Sequence, residues 1–238
     1  MMRLTHGHGC RLSMLLIPAL MLACLVPVSE GTAADQKIDA AAFQHTVDEA
    51  IAFLTTQQAP DGSYASFAGP GVTALVTTGI LRHGRSPDDP LVARSLKYLE
   101  GKVQDDGGIY QEGSRYRNYE TSLGILCFAE ANRDGRYDKT VQRAEDFLKG
   151  IQWDQGEGKD RSSPAYGGAG YGKHKRPDLS NTSFLIDALR SAGAGPDDPA
   201  IQKALVFVSR CQNLETEHNT TPFASKNPDG GFYYTPAA

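Results

Sequence analysis

Apolar residues recur along this chain at helical spacing, in two kinds of segment. In the first they form a stripe. Leu91, Val92, Ser95, Leu96 and Leu99 mark one face of a helix, and Ile201, Ala204, Leu205 and Val208 mark another, with Arg94 and Lys97 or Gln202 and Lys203 on the opposite side. In the second kind about ten residues are mostly apolar all round. These runs open at Val72-Thr73-Ala74-Leu75, Glu120-Thr121-Ser122-Leu123 and Asn181-Thr182-Ser183-Phe184. A striped helix suits an outer layer facing water, and an all-round apolar helix suits an inner layer covered on several sides. The two kinds alternate, so the pattern predicts helical hairpins and an all-α fold.

The ends of these segments carry matching signals. Gly84, Asn132 and Gly193 each stand 11 residues after the Thr of their run, where a left-handed residue closes a helix. Ser86-Pro-Asp-Asp-Pro90 and Gly195-Pro-Asp-Asp-Pro199 then open the next helices, with Asp as N-cap and Pro in the first turn. Capping accounts for these paired aspartates, so they do not suggest a metal. A further helix near 38–57 reads as the outer member of an incomplete first pair.

The striped segments end on a recurring glutamine, at Gln58, Gln104, Gln152 and Gln212. Each is followed by glycine and an aromatic: Asp61-Gly62-Ser63-Tyr64, Asp106-Gly107-Gly108-Ile109-Tyr110, Gly167-Gly168-Ala169-Gly170-Tyr171 and Asp229-Gly230-Gly231-Phe232-Tyr233. From each Thr to the next Gln the distance is 31, 31 and 30 residues, but from each Gln to the next Thr it is 15, 17 and 30. The constant half is a packed unit and the variable half is a loop. The glutamines are expected to bond free backbone carbonyls and tie neighbouring repeats. The longest loop has six glycines between Gly156 and Gly172, with Lys173, Lys175 and Arg176 beyond, and is expected to be a mobile, substrate-facing insertion. Its Gly172-Lys173-His174 lacks the Ser or Thr of a phosphate loop.

Composition changes the picture mainly at the N-terminus. Of 238 residues, the first 34 pair Arg3 and Arg11 with an apolar run, Met14 to Val28, and small residues up to Ala34. This is the anatomy of a secretory signal peptide (1–34), leaving a repeat domain at 35–238 and an exported, periplasmic or extracellular, location. Leu22-Ala23-Cys24 resembles a lipoprotein box, and membrane association is expected only if Cys24 is lipidated. Beyond the leader, Cys127 and Cys211 remain, both in apolar helical patterns that suit buried small hydrophobes better than a bridge. A net charge of −4 gives no footprint for nucleic acid. The histidines are scattered, and neither a metal nor another cofactor is expected.

Four copies of an aromatic–apolar pair with a following Gln (Phe53-Leu54 to Gln58, Tyr98-Leu99 to Gln104 with one extra residue, Phe147-Leu148 to Gln152, Phe207-Val208 to Gln212), each leading to a glycine turn and an aromatic, resemble the glutamine-rich repeats of squalene–hopene and oxidosqualene cyclases. They are similar also to the repeat of protein prenyltransferase β subunits. The likeness runs over about residues 39–234. It implies an α/α toroid, inner helices lining a cavity and outer helices wrapping them, with Tyr64 and Tyr110 at positions where the cyclases often have Trp. It also implies an isoprenoid or other hydrophobic small molecule as ligand. With about three and a half repeats the ring is expected to be incomplete, further repeats of the same protein completing it. The chain departs from those families at the chemistry. It has no Asp-x-Asp-Asp acid, no Asp, Cys and His zinc set, and no Gly-Cys-Gly-Glu-Gln thioester. No catalytic residue is therefore assigned. Residues expected at the mouth of a cavity are Tyr110, Tyr116, Tyr119, Glu120, Tyr166, Tyr171 and Asp187. Three functions follow as alternatives: an exported terpene-cyclase-like protein, a non-catalytic scaffold binding lipid, glycan or protein, and a toroidal polysaccharide lyase or hydrolase.

Overall fold

The computed structural model describes residues 39–172, 176–222 and 224–236. The leader, Cys24, Lys173 and Lys175 lie outside them. Seven α-helices are present among the described residues: α1 Ala40–Gln57, α2 Pro70–Arg82, α3 Pro90–Glu100, α4 Arg117–Glu130, α5 Asp138–Gly150, α6 Leu179–Ser191 and α7 Pro199–Cys211. No strand forms among these residues, only isolated bridges such as Val103 with Ile109.

The two kinds of apolar pattern sort the helices. α2, α4 and α6 pack side by side in that order, and α3, α5 and α7 each pack on the helix before them. α4 lies between α2 and α6 with α5 against it, and it buries residues around most of its circumference, among them Glu120, Leu123, Ile125, Cys127 and Phe128. α5 buries one stripe, Val141, Ala144, Glu145, Phe147 and Leu148, and leaves the rest to water. α1 sets Val47, Ile51 and Leu54, one stripe at helical spacing, against the core.

Local chemistry fixes the helix ends. Asp89 accepts from the Leu91 N–H at 2.9 Å and Asp198 from the Ala200 N–H at 2.8 Å, each with proline next in the chain. Gly84 (φ +90°) and Gly193 (φ +107°) close α2 and α6 in the left-handed region. Asn132 does not share this role. Its backbone is not left-handed, and its side chain instead ties the α4–α5 turn by donating to Asp138 at 2.7 Å and accepting from the Tyr137 N–H at 2.7 Å. The left-handed residue there is Gly135.

One turn geometry occurs three times. Gly62, Gly107 and Gly167 have φ of +88°, +91° and +83°, and each backs onto a main-chain carbonyl of the outer helix that follows, at Arg94, Arg143 and Lys203. A Cβ at these glycines would lie 2.2, 2.5 and 1.8 Å from those oxygens, so a side chain is excluded twice, by conformation and by space. Two residues later the main-chain N–H of Tyr64, Ile109 or Ala169 donates to the hydroxyl of Thr73, Thr121 or Thr182 at 2.9, 3.0 and 2.9 Å. The threonine thereby latches each loop to its inner helix. At the fourth turn Gly230 has φ +75° but no such carbonyl against it, and Phe232 is 54% exposed where Ile109 is 0% exposed.

The glutamines divide. Gln58 donates to the Leu91 carbonyl at 2.8 Å and Gln152 to the Ala200 carbonyl at 2.9 Å, each reaching the first turn of an outer helix. The side-chain amides of Gln104 and Gln212 instead donate within their own turns, to Tyr110 and Gly230. The long loop before α6 is packed over its second half and exposed at residues 155–158 and 160–162. Residues 165–170 are buried, Asp154 pairs with Lys203, and Arg210 donates to the carbonyls of Arg161 and Ser163. Cys127 and Cys211 are free and buried, and burial pushes both thiols up to about 12.

Candidate functional site

A cleft of about 300 Å³ opens where the loop before α2 meets the loop before α4. One wall is Ser66 to Gly69 and the other is Gln111 to Tyr116, with Glu120 at the base. The first wall is an unusual piece of backbone. Ala65 sits in the left-handed region at φ 45°, Gly69 at φ 86°, and the turn between them holds the Phe67 ring 95% exposed. Gly69 lies close to the carboxylate: a Cβ there would lie 2.3 Å from Glu120 Oε1, and its φ of 86° favours glycine.

Glu120 is 3% exposed. Its Oε2 accepts from the Gln111 N–H at 3.0 Å and its Oε1 from the Ser114 hydroxyl at 3.0 Å. Both donors are neutral, and no lysine or arginine among the described residues forms an ion pair with it. Burial raises its carboxyl above the ordinary 4.5, and the two hydrogen bonds and the charge of Lys102 offset only part of that. Lys102 is itself engaged, donating to Gln111 Oε1 at 2.9 Å and lying 4.9 Å from the Tyr98 ring centre.

Four of the expected mouth residues come together. Tyr116 lines the cleft, and its ring meets Tyr171 edge-on at 5.3 Å; Tyr119 meets Tyr171 at 6.3 Å and Phe184 at 5.1 Å. Glu120 lies one residue beyond Tyr119 on α4. Tyr171 is anchored by its main chain, whose carbonyl accepts from the Asn118 N–H at 3.0 Å. The remaining three are elsewhere. Tyr110 packs on Phe147 at 5.6 Å, under the Arg117 guanidinium, and donates to Asp106 at 2.6 Å. Tyr166 is buried in the long loop. Asp187, two turns into α6, lines a separate hollow of about 440 Å³ with Arg82, Leu126 and Arg190. Arg82 there pairs with Glu130 at 3.1 Å.

The sequence reading missed Phe67, Gly69, Ser114 and Arg115. Gly113 followed by Ser114, two residues before Tyr116, marked a tight turn, but nothing in the spacing set that turn against residues 65–69. Among the described residues no group of three or more His, Cys, Asp or Glu is placed to hold a metal, and no helix is long and apolar enough to cross a membrane. No protein-family model, curated protein or solved structure matches the chain.

Proposed function

We propose that this chain is an exported helical-hairpin repeat protein of the squalene-cyclase-like toroidal type that binds a small amphiphile in the Glu120 cleft without cyclising it. The side-by-side order of α2, α4 and α6, with the other helices behind them, supports a ring built from such pairs. The observation that carries the functional reading is the state of Glu120. Protonating an alkene needs an unusually strong acid, and burial makes this carboxyl a weaker one. A buried carboxyl with neutral partners suits hydrogen bonding or ion pairing with a heteroatom on a ligand's head group. The apolar body of that ligand finds Phe67 and Tyr116 beside it. An isoprenoid alcohol has both parts.

Squalene and farnesol, each incubated with the protein, test this. Farnesol is expected to bind by calorimetry, and squalene to be recovered unchanged by mass spectrometry. A cyclic hydrocarbon product would overturn the proposal.

A further inference from the structure

The cleft holds a buried carboxylate with neutral partners only. A carboxylate removed from water is costly unless it is paired, and Glu120 keeps acceptor capacity beyond the Gln111 and Ser114 bonds. The cation whose charge acts on Glu120, Lys102, is committed to Gln111 and Tyr98. Glu112 and Arg115 stand on the same wall with opposite charges, so they leave the rim without a strong bias. Above the carboxylate, Phe67 is held out by a left-handed Ala65 rather than folded into the core, and Tyr116 lines the facing wall. Aromatic faces beside a carboxylate are the setting in which ammonium groups bind.

We propose that the head group recognised in this cleft is a protonated amine, with Glu120 as its counter-ion and Phe67 and Tyr116 against the attached carbons. This rests on the cleft being a ligand site and names the class of ligand. The amine supplies the charge that the fold withholds from Glu120.

The test is a matched pair of small probes, hexylamine and 1-hexanol, titrated into the intact protein at neutral pH by NMR. Hexylamine is expected to bind at least about tenfold more tightly, because it alone pairs with the carboxylate. Glu120→Gln is expected to abolish that advantage, bringing hexylamine down to the affinity of 1-hexanol for the same variant. Phe67→Ala removes a side chain that the fold does not use, so it tests the aromatic wall in a folded protein. It is expected to weaken hexylamine several-fold. Equal affinities for the two probes would overturn the amine assignment while leaving a ligand cleft in place. Binding of neither probe would overturn the cleft reading as well.

Discussion

Glu120 shows how one residue's chemistry depends on its surroundings. A carboxyl raised by burial holds its proton more tightly in the folded chain than in the unfolded one. Between the ordinary 4.5 and the raised value the folded state carries the extra proton, so stability falls as pH rises through that window. Gln at this position keeps both hydrogen bonds, accepting from the Gln111 N–H and donating to Ser114 Oγ, and never ionises. Glu120→Gln is therefore expected to be more stable than the parent at pH 7 in urea melts, with the gap closing as pH drops to 4.5. A gap independent of pH would show that ionisation of Glu120 is not what strains the site.

At the scale of elements, the turns that join the hairpins matter more than the helices' intrinsic preferences. Gly107 and Gly84 have nearly the same φ, +91° and +90°, but only Gly107 has a carbonyl, that of Arg143, where a Cβ would go. Gly84→Ala is expected to cost about 1 kcal/mol, the ordinary penalty for a left-handed alanine. Gly107→Ala adds a main-chain clash between two hairpins and is expected to cost about 3 kcal/mol or more. Thermal melts of the two variants compare them directly, and equal losses would rule out the close approach as the reason for the glycine. The same element explains Thr73, Thr121 and Thr182. Each gives its hydroxyl to the loop two residues beyond the glycine, a role that their position near a helix start does not disclose.

Across the whole molecule, burial is uneven along the row of inner helices. α4 has α2 on one side and α6 on the other, whereas α7 packs on α6 and is followed by a turn whose Phe232 is exposed. Units that touch only their neighbours open from the less supported end. The two thiols report this, since both are buried and held up to about 12 in the native state. Cys211 is expected to react with a thiol reagent at a rate set by local opening of α7, and Cys127 more slowly, at a rate set by opening of the centre. Reaction of Cys127 first, or of both together, would argue against end-first opening.

Helix positions and the glycine turns were legible in the sequence because each is a local property. A stripe at 3.6-residue spacing, an Asp-Pro start and a left-handed glycine depend on a few neighbouring residues. Tyr116, Tyr119 and Glu120 are neighbours because they share the start of α4, whereas the contacts of Tyr171 with Tyr116 and Tyr119 come from packing. Asn132, which looked like a left-handed cap, showed the limit: an asparagine can close a turn with its side chain instead, and the chain alone does not choose. Tertiary structure decided what Glu120 faces. Its partners Gln111 and Ser114 come from one loop, while Gly69 and Phe67 come from another some fifty residues earlier in the chain. Packing of α2 beside α4 brings those two loops together, and that contact removes water from the carboxylate and gives the site its chemistry.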